Sequence, residues 1–159
     1  MISSHPLISL LEQDQSNIRQ YKTNKISQDD FASSQERVVE QFKSYIKSKG
    51  FPFRDVFGQE VYKAAIVLSL HADVEFLKLI LENIKEVGEG QIDVGDKAYF
   101  IDRLLVLEGK SQVYGTQYKK SSDGDIEFFP IEDNENVDKR RSELGLGPLS
   151  EYKVKANSK

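Results

Sequence analysis

Residues 98–107 read Ala-Tyr-Phe-Ile-Asp-Arg-Leu-Leu-Val-Leu, an apolar run with one adjacent charged pair, Asp102 and Arg103, at its centre. A segment this apolar folds into an interior, and an ion carried inside is costly unless it is paired or hydrogen-bonded. On a helix, neighbouring positions point about 100° apart at ~3.6 residues per turn, so the two charges do not serve each other. Each needs a partner of its own, structural or from outside. Shortly downstream comes a dense polar stretch, Gln112-Val113-Tyr114-Gly115-Thr116-Gln117.

With 159 residues the chain fits one domain that buries about 68–70% of its unfolded surface. It is 30% charged and 38% hydrophobic with a net charge of -4, which lacks the basic stripe of a nucleic-acid binder. Lys119-Lys120 and Arg140-Arg141 are too short to make one. Cysteine is absent, which excludes disulfides, thiolate chemistry and cysteine-ligated zinc. Only His5 and His71 offer imidazoles, so no metal and no cofactor are expected; one divalent ion on His71, Asp73 and Asp102 is the remaining arrangement. The longest apolar stretch, residues 64–70, is interrupted by Ser69 and falls far short of the ~20 residues of a membrane span. Residues 1–15 carry no Lys or Arg ahead of Leu7–Leu11, unlike a secretory signal. The expectation is a cytoplasmic protein with neither a membrane nor a nucleic-acid partner.

Periodicity sets the organisation. Residues 1–26 are weakly patterned, with a short helix at Leu7–Leu11. Residues 27–152 read as one globular domain, and 153–159 as a frayed polar tail. Ser27 caps a helix running to Lys49, with Phe31, Val38, Phe42, Tyr45 and Ile46 near one face; Gly50 and Pro52 end it. Residues 58–87 are helical but broken, apolar on nearly every side through Leu70. The second half starts at Val74 behind an Asp73 cap and closes at Gly88 and Gly90. Asp93 or Asp96 starts the helix of Asp102 and Arg103, and Gly109 ends it. Gln112–Tyr118 and Asp125–Phe129 read as strands joined by Ser121-Ser122-Asp123-Gly124. A last helix runs from Asp133 or Asn134 to Leu144, with Gly145 at its exit. The sum is a mainly helical α+β fold with one β-hairpin.

Four places carry candidate chemistry. Arg103 offers a planar fork for carboxylate or phosphate, and Asp102 has Arg141 or backbone donors in reach; the bland alternative is an internal salt-bridge network. Arg141 interrupts the Val137–Leu144 stripe, as an inward cation or a snorkelling stem, while Arg140 faces solvent. His71 sits on the buried wall of Val67 and Leu68, and is either a satisfied core residue or a general base with Asp73 orienting it. Gln112, Tyr114 and Thr116 share one strand face and Gln117 the other, with Gly115 leaving room for a close approach. No phosphate loop, dinucleotide fingerprint or nucleophile elbow occurs.

These residues resemble a family of uncharacterised bacterial domains. The matching blocks are Gly50-Phe51-Pro52, His71-Ala72-Asp73, Asp102-Arg103 and Gln112-Val113-Tyr114-Gly115-Thr116-Gln117. Pro130-Ile131-Glu132-Asp133, Val137-Asp138-Lys139-Arg140-Arg141 and Gly145-Leu146-Gly147-Pro148-Leu149 follow in order. Leu70 stands where the family has Gln, and the stretch after Asp73 is shortened. The resemblance implies a fold and a residue set rather than a reaction.

Two functional expectations follow. In the first, His71, Asp73, Asp102, Arg103, Gln112, Tyr114, Thr116, Gln117 and Arg141 line a pocket for a small anionic molecule, with His71-assisted hydrolysis or group transfer. In the second, the polar residues are an internal network, and the chain is a non-enzymatic module that binds a protein partner.

Overall fold

Val38, Phe42 and Ile46 recur every fourth residue and are buried, and this stripe makes a long helix the first organising element. The computed structural model describes residues 5–85 and 90–158, which divide into two compact units, Met1–Gln91 and Ile92–Lys159.

In the first unit, helix α1 (Pro6–Lys22) runs antiparallel to α2 (Gln28–Lys49). His5 meets Tyr45 edge-on at 5.7 Å, and Tyr21 stacks on Phe31 at 4.5 Å. The short helix expected at Leu7–Leu11 therefore extends to Lys22, because Leu7 and Leu10 are buried against a partner that local patterning does not reveal. Ser27 caps α2, its hydroxyl oxygen accepting from the Asp30 N–H at 3.1 Å and donating to the Asp30 carboxylate at 2.7 Å. α3 (Arg54–Leu68) breaks at Gly58, whose φ of 80° is a left-handed conformation that suits glycine. A 3-10 turn, Ser69–His71, leads to α4 (Val74–Asn83). Asp73 caps α4 by accepting the Phe76 N–H at 2.7 Å. Phe42 and Phe76 meet edge-on at 5.2 Å in a core shared with Ala65, Leu68, Leu77, Ile80 and Ile84. The broken helix over 58–87 is thus two helices about a turn, the second ending at Asn83 rather than at Val87; the closing Gly88 lies outside the described residues.

The second unit begins with α5 (Val94–Leu107), which buries Ala98, Phe100 and Asp102. Strands β1 (Tyr118–Lys120) and β2 (Ile126–Phe128) form an antiparallel hairpin, with Tyr118 opposite Phe128 and Lys119 opposite Glu127. The first strand is shorter than expected. Residues 113–117 leave the extended path, and Gln112 makes only an isolated bridge to Ile131. A 3-10 turn, Asn134–Asn136, opens α6 (Val137–Glu143). Of the tail expected to fray, residues 153–157 belong to α7 (Leu149–Asn157), where Ala156 is buried and the Asn157 side chain accepts the Ile126 N–H at 2.8 Å; Lys159 lies outside the described residues. The fold is a mainly helical α+β architecture with one hairpin among the described residues. No helix among them is long and apolar enough to cross a membrane.

Replacing Ser27 by Ala should lower stability by about 1 kcal/mol through loss of the cap. Phe76→Ala should cost about 3–5 kcal/mol through a core cavity. Both are read as urea midpoints at unchanged slope.

Candidate functional site

Asp102 lies on the buried face of α5 and is 0% exposed. Its carboxylate accepts the backbone N–H groups of Val113 (2.8 Å), Tyr114 (3.0 Å) and Thr116 (2.9 Å), together with the Thr116 hydroxyl at 2.9 Å. Three amides and a hydroxyl converging on one carboxylate satisfy both of its oxygens, so the charge is held by the chain itself.

The loop that supplies these donors is stapled at its base. The Gln112 side-chain amide donates to the carbonyl of Gln117 at 2.9 Å and accepts the Gln117 N–H at 2.8 Å. It also donates to the Phe129 carbonyl at 2.9 Å. A side-chain amide here replaces a peptide rung of the sheet and lets residues 113–116 curl around Asp102. Gly115, at φ 69°, completes the curl; a Cβ there would stand 2.7 Å from Leu149 Cδ1 and 3.2 Å from Ile131 Cδ1. The Gln117 side chain donates to the Thr116 hydroxyl at 3.1 Å.

The outward-facing carbonyls of the same loop are bound by α6. Arg141 is buried and donates to the carbonyls of Tyr114 (2.8 Å) and Gly147 (2.7 Å). Its guanidinium lies 5.2 Å from the centre of the Tyr152 ring, a cation–π contact. Burial pushes the Arg141 pKa down, against the charges of Asp138, Tyr152 and Asp102. Arg140, expected in solvent, instead donates to the carbonyls of Val113 (2.9 Å), Glu132 and Asp133. Consecutive arginines in the last turn of α6 thus take the carbonyls of consecutive loop residues, Arg140 that of Val113 and Arg141 that of Tyr114. The Tyr152 hydroxyl donates to the Thr116 carbonyl at 3.0 Å, and burial raises its pKa.

Asp102, Gln112, Thr116, Gln117 and Arg141 are therefore brought together by their side chains, and Tyr114 joins through its backbone. Arg103 is half-buried.

His71 and Asp73 stand in the first unit. His71 Nε2 lies 3.2 Å from Asp14 Oδ1; the Asp14 carboxylate is 0% exposed and the His71 side chain 29%. The contact has ion-pair distance without hydrogen-bonding alignment, which leaves Oδ1 buried and without a donor. Gln15 donates to the other oxygen at 2.9 Å. Asp73 is occupied as the α4 cap, and Lys43 approaches its Oδ2 at 3.9 Å. The partner of His71 is thus Asp14 rather than Asp73. Asp14 extends the Leu7, Leu10 stripe of α1 by one turn, a carboxylate in an apolar register that the sequence displays. Among the described residues no three His, Cys, Asp or Glu side chains are placed to hold a metal ion.

Asp102→Ala should destabilise by about 3–5 kcal/mol, since it strands several buried donors at once. Gly115→Ala should cost about 1–2 kcal/mol from its left-handed backbone. Both are measured by urea denaturation. Because the Tyr152 pKa is raised in the folded state, its contribution is full below pH ~10 and is lost as pH rises through the folded value. Tyr152→Phe should flatten that alkaline loss in thermal melts taken above pH ~9.

Neither a curated protein nor a solved structure matches the chain. Residues 6–157, which span both units, match a family of unknown function, DUF6624, and the chain belongs to that family.

Proposed function

We propose that the chain performs proton-assisted chemistry on a small polar molecule, hydrolysis or group transfer, with His71 as general base and Asp14 as the residue that orients it. The Asp14–His71 pair carries this reading: a fully buried carboxylate lies 3.2 Å from one nitrogen of a ring that stays open to solvent. A small turn of the ring aligns this contact as an Nε2–H···Oδ1 hydrogen bond, which favours the tautomer with the proton on Nε2 and leaves Nδ1 its lone pair. In hydrolysis, Nδ1 takes a proton from water as the water oxygen bonds the electrophilic centre. It returns that proton to the leaving atom as the old bond breaks. Asp73 positions the start of α4 two residues after His71 and moves no proton.

Asp102 and Arg141 spend their hydrogen bonds on the 113–117 loop, and we assign them to the scaffold rather than to a grip on an anion. A bacterial, cytoplasmic setting without nucleic-acid or membrane partners belongs to the same proposal.

One observation favours a second reading, a protein-interaction module. A groove of about 450 Å³ in the second unit is lined by Phe128, Phe129, Pro130, Ile131, Leu149 and Lys153, largely apolar and built over the stapled loop.

A panel of chromogenic esters, amides and phosphates, assayed with wild type, His71→Gln and Asp14→Asn, separates the two. His71→Gln should slow turnover of the accepted class by about 10²–10⁴-fold, and Asp14→Asn by less. Equal rates for wild type and His71→Gln, or no turnover of any class, would remove the enzymatic reading and leave the module.

A further inference from the structure

The groove between β2 and α7 has a floor set by a missing side chain. Ile131 and Leu149 fold over Gly115, where a Cβ would meet both of them. Phe128, Phe129, Ile131 and Leu149 are each half-buried and Pro130 is exposed, so this lining turns apolar surface to solvent. Val154, one turn beyond the lining residue Ser150 on α7, is 70% exposed and extends that surface along the helix. A contiguous apolar surface with polar margins marks an interaction site. The margins here carry opposite charge. Lys153 lines the α7 side and makes no ion pair among the described residues. Glu132 and Glu135 are exposed beside the lining residues Ile131 and Asn134, and make none either.

We propose that this groove receives an amphipathic helix of a partner protein, apolar on the face it buries, acidic along the margin that meets Lys153 and basic along the margin that meets Glu132 and Glu135. The inference rests on the reading of the chain as an interaction module. The form of the partner follows from the backbone. The edge of β2 away from β1 is already taken: the Asn157 side chain accepts the Ile126 N–H, and Gln112 bonds the Pro130 carbonyl and the Glu132 N–H. Pro130 has no N–H to offer. No continuous edge is left for a partner strand to join, so an extended segment would bury peptide groups without partners. A helix satisfies its own main chain and docks through side chains alone. The charges then fix its direction, because reversing the helix in the groove would set acid against Glu132 and Glu135 and base against Lys153.

The test is ¹H–¹⁵N NMR of the full chain titrated with synthetic peptides, read at the amides of Phe128, Phe129, Ile131, Leu149 and Lys153. One peptide is a helix with a leucine face, Glu along one margin and Lys along the other. A second has the same composition with leucine at alternate positions, the pattern of a strand. The helical peptide should give saturable shifts at these amides, and the alternating one should not. Val154→Glu and Lys153→Glu should each weaken the helical peptide about tenfold. Changing that peptide's Glu margin to Lys should restore binding to Lys153→Glu, and His71→Gln should leave binding intact. Unchanged binding by both variants would overturn the proposal. Tighter binding of the alternating peptide would overturn the helix and leave the module standing, whereas shifts from neither peptide would overturn both. Sedimentation of the chain alone tests for a second copy. A monomer at all concentrations is expected, and self-association abolished by Val154→Glu would give the groove to another copy of this chain instead.

Discussion

The second unit is organised around a single anion. One carboxylate on α5 draws in three peptide N–H groups and a hydroxyl, and in doing so dictates the path of the loop after α5. A unit this small has a limited apolar core, so ordering a loop by backbone bonds to one buried charge substitutes for hydrophobic area it does not possess. Everything attached later reads that loop's outer side. Arg140 and Arg141 bind carbonyls whose amides, or whose neighbours' amides, face Asp102, and the Tyr152 hydroxyl binds the carbonyl of Thr116. Donors inside and acceptors outside use both edges of the same short peptide stretch, so the anion and the two cations stabilise it from opposite sides.

The first unit follows a different logic. Its core is aromatic and aliphatic, and the one buried carboxylate among its described residues, Asp14, is incompletely satisfied. Asp14 has a neighbour in His71 and a donor in Gln15, yet one oxygen is left without a hydrogen bond. The fully bonded Asp102 carboxylate and the incompletely bonded Asp14 carboxylate are the physical grounds for our proposal of chemistry at His71 and scaffolding at Asp102.

Much of this was legible in the sequence, and the failures share a cause. The Ser27 and Asp73 caps, the Gly50 exit and the α4 stripe are local signals, and local signals suffice for α2 and α4. The charged pair in residues 98–107 correctly marked a buried ion. Backbone donors were one of its two expected partners and are the ones found, but which amides serve it was not legible, because backbone amides carry no sequence signature. For the same reason, alternating residues at 112–117 mimic a strand while the chain forms a curl; Gln112 replaces a peptide, and side-chain identity alone does not announce that use. Arg140 was read as solvent-facing from its neighbour's register, which ignores a loop that returns past the helix. Asp14 was missed although its position in the Leu7, Leu10 periodicity displays it.

The Asp102 bonds also favour an order of assembly. They link residues only 11 to 14 positions apart, whereas Arg141 to Tyr114 spans 27 and Tyr152 to Thr116 spans 36. Chain-closure entropy rises with separation, so the α5–loop contact is less demanding to close than either of these, and the later helices meet a loop whose path it has already narrowed. The buried carboxylate thus shortens the search that the C-terminal helices must make.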